Sequence, residues 1–190
     1  MSTYAEVPKS LDLPEQMLIC IGKLIAEWAN CESCFYVVFF CLTGRPNGNA
    51  DVIWASVQST RRRMEIISDL IRYEVGLDPE LASSLQKCIA RFVPITALRN
   101  YYCHSIYHAD ANGMMSRVDN WHIPQVPADP TQIIETKSKP VSKATINEMC
   151  CTIDRCMELA DDVFKLLHKL RDALQLQHVV LPPLPNQYQA

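Results

Sequence analysis

The stretch DPELASSLQKCIARFVPITALRNYYCH, residues 78–104, decides how the rest of the chain is read. Asp78 is a good helix cap, and Pro79 takes the first helical position, where its missing N–H costs nothing. Leu81, Leu85, Cys88, Phe92 and Ile95 then recur at helical spacing, which predicts an amphipathic helix with a kink at Pro94. The next inward position after Phe92 and Ile95 is Arg99. A guanidinium on an apolar stripe is costly unless it is paired or faces a cleft, so the core alone does not explain this helix end. Asn100 and His104 are four apart and share a face, so the Asn amide is placed to orient the imidazole. Arg99 and His104 are five apart, about 140° around an ideal helix. They meet only if the helix end bends or if two such ends come together across a two-fold axis.

Outward from this helix, three more helical segments are expected. Pro14 to Thr43 carries Leu18, Ile21, Ile25, Trp28, Phe35, Phe39 and Leu42 on one stripe and stops at Gly44 and Pro46. Glu32 interrupts that stripe and either pairs with Arg99 or faces water at the stripe edge. A second helix opens near Asn49 or Asp51 and runs through Ile53, Val57, Met64, Ile67, Ile71 and Val75 to Gly76. The last spans Ser142 to Gln175, with a Thr145-x-x-Glu148 capping box and the most regular stripe in the chain. Between His104 and Ser142 the helical period is lost. Asn112-Gly113 signals a type I′ hairpin between Tyr107-His108 and Met114 to Val118, with a third short strand at Ile133 to Thr136 and a Pro-rich connection from Pro124 to Pro130. The expected fold is mainly α: an up-down bundle of four to five long helices with a small β-hairpin insertion before the last helix. Residues 1–13 form an arm, 14–176 the domain and 177–190 a Pro-rich tail. Stripes longer than one core needs predict a homodimer.

The 190 residues suit one domain with a real core, and 48% hydrophobic against 21% charged residues excludes a disordered chain. A net charge of -3 argues against a general nucleic-acid coat, so any RNA contact is local. Nine cysteines, an odd number, sit in apolar helix-like stretches, which predicts reduced buried thiols in a cytoplasmic protein rather than a disulfide framework. Met1 to Ser10 carries no secretory pattern, and the longest apolar run, Cys34 to Leu42, is short of the about 20 residues a bilayer needs. No membrane association is expected.

Arg99-Asn100-Tyr101-Tyr102-Cys103-His104 resembles the Arg-x4-His signature of the HEPN superfamily, and Asn100 matches its usual variant with a polar residue after the Arg. The motif's place near the end of a long helix, the short β excursion after the His and the final amphipathic helix are similar to that family too, over roughly Pro14 to Gln175. The resemblance implies a dimeric, metal-independent endoribonuclease. His104 would be the acid and base, Arg99 would stabilise charge on the phosphate, and Asn100 would orient His104. It implies RNA as substrate and, in toxin or defence settings, a protein partner such as an antitoxin. It also admits a non-catalytic module that binds a protein or a nucleotide. Apart from the resemblance, a third reading has Arg99 only hold the bundle together.

Arg61, Arg62 and Arg63 form a basic triplet that either touches an RNA backbone or is a solvated helix face. His108 is placed to contribute to a cleft. Its His-x3-His spacing with His104 is discounted as a metal pair, because the helix ends between them. Cys31-x-x-Cys34 and Cys150-Cys151 read as structural, and Trp28 and Trp54 as core or interface. No Gly-rich phosphate loop and no hydrolase or zinc signature is present, so neither a cofactor nor a metal is expected.

Overall fold

The computed structural model describes residues 7–43, 49–74, 76–122 and 135–176. Among these the chain is mainly helical: five helices hold 72% of the residues, and one small three-stranded sheet accompanies them. The expected connection from Pro124 to Pro130 and the tail from residue 177 lie outside the described residues.

Helix α1 spans Leu13–Thr43. Its start is a reciprocal cap that the sequence reading missed. The Glu15 amide donates to Asp12 Oδ1 at 2.9 Å, and the Asp12 amide donates to Glu15 Oε2 at 3.2 Å. The expected single second helix is two: α2, Asn49–Ser56, and α3, Thr60–Tyr73. Ser59 breaks them. It is extended, and its hydroxyl accepts the Arg62 amide at 3.3 Å, opening a new helix where hydrophobic spacing alone suggested continuity. Ile53, expected inside, is accordingly 45% exposed, while Met64, Ile67 and Ile71 are buried. Helix α4, Pro79–Cys103, starts as expected, with Asp78 Oδ2 accepting the Leu81 amide at 2.9 Å; Pro94 stands inside it without ending it. Helix α5, Lys143–Ala173, is capped by Ser142, which accepts the Thr145 amide at 3.2 Å. The expected box from Thr145 is therefore displaced by one turn, and the Glu148 carboxylate instead takes the Lys139 ammonium at 2.5 Å.

Strands β1, Ser105–Ala109, β2, Met115–His122, and β3, Glu135–Pro140, form an antiparallel sheet in the order β1-β2-β3. The hairpin at Asn112-Gly113 is present, but its turn is not type I′. Only Gly113 takes a positive φ, +79°, whereas type I′ needs two such residues. Asp110 organises a longer loop, its Oδ1 accepting the amides of Asn112 at 2.8 Å and Met114 at 3.0 Å. The register slips between His108 and Ala109 to accommodate it. Of the third strand expected from Ile133 to Thr136, residues 133 and 134 lie outside the described residues, and the described strand runs Glu135–Pro140.

The chain divides into two compact units. One holds the described residues of Met1–Ala26 and Ala97–Asp154, the other those of Glu27–Thr96 and Arg155–Ala190. In the first, Met17, Leu24, Tyr102, Val118, Met149 and Ile153 are buried. The second has an aromatic and aliphatic core in which Trp28 stacks on Phe92 at 5.9 Å and 15°, Phe35 meets Phe92 at 5.1 Å, and the Trp28 indole donates to Thr96 Oγ1 at 3.0 Å. By length and composition α1 also satisfies what a membrane-crossing helix needs, with 50% of its most apolar window buried inside the protein.

Glu32 does not face open water. Its Oε1 accepts from Arg63 Nη1 at 3.1 Å and from the Thr60 hydroxyl at 2.9 Å. Arg63 Nε also donates to the Val57 carbonyl at 2.8 Å, and its guanidinium lies 4.7 Å over the Trp54 ring. Both side chains of the pair are largely buried, so removing one leaves the other charge stranded. Arg63→Ala should cost about 2–4 kcal/mol and lower the melting temperature by roughly 5–12 °C. The double change Arg63→Met with Glu32→Leu should cost less than Arg63→Ala alone, as thermal denaturation of the three proteins will show.

Candidate functional site

The helix end at Arg99–His104 is built by the sheet that follows it. The last carbonyls of a helix have no partner within it. Here the Tyr101 carbonyl accepts from Asn120 Nδ2 at 3.1 Å and from the Ser105 hydroxyl at 2.5 Å, and the Tyr102 carbonyl accepts from the Tyr107 hydroxyl at 2.6 Å. The Tyr101 hydroxyl in turn lies within donating distance of the Lys137 carbonyl, 2.8 Å, and the Val118 carbonyl, 3.1 Å. Tyr101 and Tyr102, the least informative residues of the motif in sequence, are thus its anchors. Their rings meet edge to face at 5.1 Å, and the Lys139 ammonium sits 5.2 and 5.7 Å from them.

On this anchored end the sequence-predicted residues fall as follows. Arg99 is half-buried, and its Nη1 donates to Asn100 Oδ1 at 2.9 Å. Asn100 therefore holds the guanidinium. No side-chain hydrogen bond among the described residues joins it to His104, whose amide donates to the Asn100 carbonyl at 3.1 Å in the last helical bond. His104 is exposed. The structure brings Arg99 and Asn100 together and sets His104 one turn further on, the separation that their five-residue spacing requires.

His108 lies apart from these, on β1, and its setting is the feature sequence reasoning missed. Asp119 pairs across the sheet with Ile106 and Ser138, so it shares a face with His108, Arg117 and Trp121. His108 Nε2 lies 2.9 Å from Asp119 Oδ2, a close approach short of hydrogen-bond alignment, and Arg117 Nε lies 3.0 Å from Asp119 Oδ1. The Asp119 side chain is only 7% exposed. The Ser138 hydroxyl, then the charges of Arg117 and His108, hold its carboxyl below the usual range. Strand alternation would have placed these residues on one face, but the register slip beside His108 concealed the pairing.

The basic triplet splits. Arg61 and Arg62 are exposed and both engage Glu65 at 3.1 Å, and together they hold its carboxyl below the usual range. Arg63 turns inward to Glu32, as described above, and is not open to a nucleic-acid backbone. Cys31 and Cys34 are buried free thiols, Cys34 pushed up to about 11 by burial and by Asp161. Among the described residues no group of three or more His, Cys, Asp or Glu is arranged to hold a metal ion. A surface cleft of about 360 Å³ lies elsewhere, lined by Glu32, Ser33, Tyr36, Asp51 and Trp54. Within it the Tyr36 hydroxyl donates to Asp51, which pushes the phenol up to about 12.

The chain matches no family model, and no curated protein or solved structure shows significant similarity to it.

Two outcomes follow from these surroundings. The Asp119 carboxyl is depressed in the folded state, so its contribution to stability is complete above the ordinary Asp range, about pH 4, and is lost as pH falls through its lower folded value. Asp119→Asn should therefore flatten the fall in melting temperature measured from about pH 5 down to about pH 2.5. The Tyr102 hydroxyl is buried with no hydrogen-bond partner among the described residues. Tyr102→Phe should leave the melting temperature unchanged or raise it, and a loss above about 1 kcal/mol would contradict this.

Proposed function

We propose that this protein is a HEPN-like, metal-independent endoribonuclease, an up-down helical bundle acting as a homodimer in the cytoplasm. The observation that carries the reading is the anchored end of α4, where a half-buried Arg99 is held by Asn100 and an exposed His104 follows one turn later. In a dimer built around a two-fold axis at this end, two Arg99 and two His104 side chains share one cleft. One imidazole takes the 2′-hydroxyl proton as the 2′-oxygen attacks phosphorus. The other protonates the departing 5′-oxygen, leaving a 2′,3′-cyclic phosphate and a 5′-hydroxyl. Arg99 stabilises the charge that builds on the phosphoryl oxygens, and Asn100 positions Arg99 rather than His104. His108 belongs to a separate cluster with Asp119 and Arg117.

A second reading, a non-catalytic HEPN-like dimer that binds a protein partner, such as an antitoxin, or a nucleotide, is favoured by one group of observations. The net charge is -3, and the basic triplet is engaged internally, Arg63 with Glu32 and Arg61 and Arg62 with Glu65. The two readings part on RNA cleavage in EDTA. The first expects cleavage by the wild type with cyclic phosphate ends, a loss of at least about 100-fold in His104→Ala and in Arg99→Ala, and a loss of specific activity on dilution below the dimer dissociation constant. Inert wild-type protein on varied RNAs, folded and dimeric, would instead establish the second.

A further inference from the structure

Nine free cysteines are distributed over the helices, and among the described residues two pairs bring their thiols together: Cys31 with Cys156, both buried, and Cys20 with Cys150, of which Cys150 is half-buried and within reach of solvent. Cys20 on α1 and Cys150 on α5 are 130 residues apart in sequence, yet their sulfurs lie 3.6 Å apart. Both belong to the same compact unit. Cys20 is buried, Cys150 is half-buried, and the neighbouring Cys151 is exposed. We propose that Cys20 and Cys150 form a thiol pair that closes to an intramolecular disulfide on reaction with a low-molecular-weight disulfide such as oxidised glutathione.

A disulfide needs its sulfurs at about 2.05 Å, so closure asks for an approach of about 1.5 Å, within reach of side-chain rotation. The order of events follows from exposure. Cys150 is the thiol that solvent can reach. Its thiolate attacks one sulfur of the small disulfide, whose S–S bond breaks and releases one small thiol after protonation. The Cys20 thiol then gives its proton to solvent, and its sulfur attacks the Cys150 sulfur of the mixed disulfide, releasing the second small thiol. Two protein thiols are oxidised and one small disulfide is reduced to two thiols, so the exchange balances without another reactant. Burial and then the nearby Cys150 push the Cys20 thiol up to about 12, which agrees with Cys20 being the second thiol to react. Cys20 also lies within electrostatic reach of Tyr102, the buried anchor of the α4 end. The link would tie α1 to α5 beside that anchor, and it depends on neither functional reading above.

The test uses the full chain, wild type beside Cys151→Ser and Cys150→Ser, each incubated folded with oxidised glutathione and mapped by non-reducing tryptic mass spectrometry. The expected result is a link between the peptide of residues 10–23 and the peptide of residues 144–155 in wild type and Cys151→Ser, absent in Cys150→Ser, with a melting temperature several degrees above that of the reduced protein. The link should be reversed by dithiothreitol. Persistent glutathione adducts without the link in wild type and Cys151→Ser would overturn the proposal. So would a Cys20 link that survives in Cys150→Ser, because the partner would then be Cys151. The first two proteins decide the matter even if Cys150→Ser does not fold.

Discussion

The unpartnered carbonyls at the C-terminal end of α4 are the constraint on which the candidate site depends. A helix that stops inside a folded unit leaves acceptors that must be satisfied, and each one left buried and unpaired costs about 1–3 kcal/mol. This chain supplies the donors from what comes next: Ser105 and Tyr107 on β1 and Asn120 on β2. The sheet is therefore more than an insertion between two helices. It caps α4, and its own backbone carbonyls are gripped in return by the Tyr101 hydroxyl. Reciprocal bonds of this kind fix where the helix ends, and the end fixes where Arg99, Asn100 and His104 stand.

The two units solve their polar problems differently. In the unit that holds the motif, ionic groups gather on the open face of the sheet, where Asp119 is enclosed by His108, Arg117 and Ser138. In the other, the Glu32–Arg63 pair is largely buried and joins α1 to α3 beside Trp54. That contact removes one cation from the basic triplet, and Glu65 partly neutralises the other two. The phosphate-binding capacity that three consecutive arginines suggest is much reduced by folding, and Arg99 gains importance as the cation nearest His104 in the chain.

What could be read in the sequence was what depends on periodicity and local caps. The stripes of α4 and α5, the Asp78-Pro79 start and the strand-forming region after His104 are present, and so is the α1 stripe from Trp28 onward; before Trp28 the expected Leu18 and Ile25 are exposed, and Met17, Cys20 and Leu24 are buried in their place. What could not be read depends on single hydrogen bonds that outweigh a pattern. Ser59 splits a continuous stripe because its hydroxyl satisfies an amide at a new helix start. Asp110 replaces a two-residue turn with a longer loop because its carboxylate accepts two amides. In the site, Arg99 and His104 were visible as a polar intrusion at a helix end, but the bond from Arg99 to Asn100 was not. A face shared at four-residue spacing makes the Asn100–His104 contact available, and the charge-assisted bond from Arg99 is the stronger one. Asp119 and Asn120 went unnoticed because their roles arise only from strand register.

The placement of Arg99 and His104 depends on whether the sheet holds the end of α4. Amide hydrogen exchange across residues 101–106 addresses this directly, comparing the wild type with a Tyr107→Phe, Asn120→Ala double variant that removes two of the three side-chain donors to the last carbonyls. The expected result is faster exchange at Cys103 and His104 with the rest of α4 unchanged. Equal protection in the two proteins would show that the helix end holds itself, and that the sheet does not position Arg99 and His104.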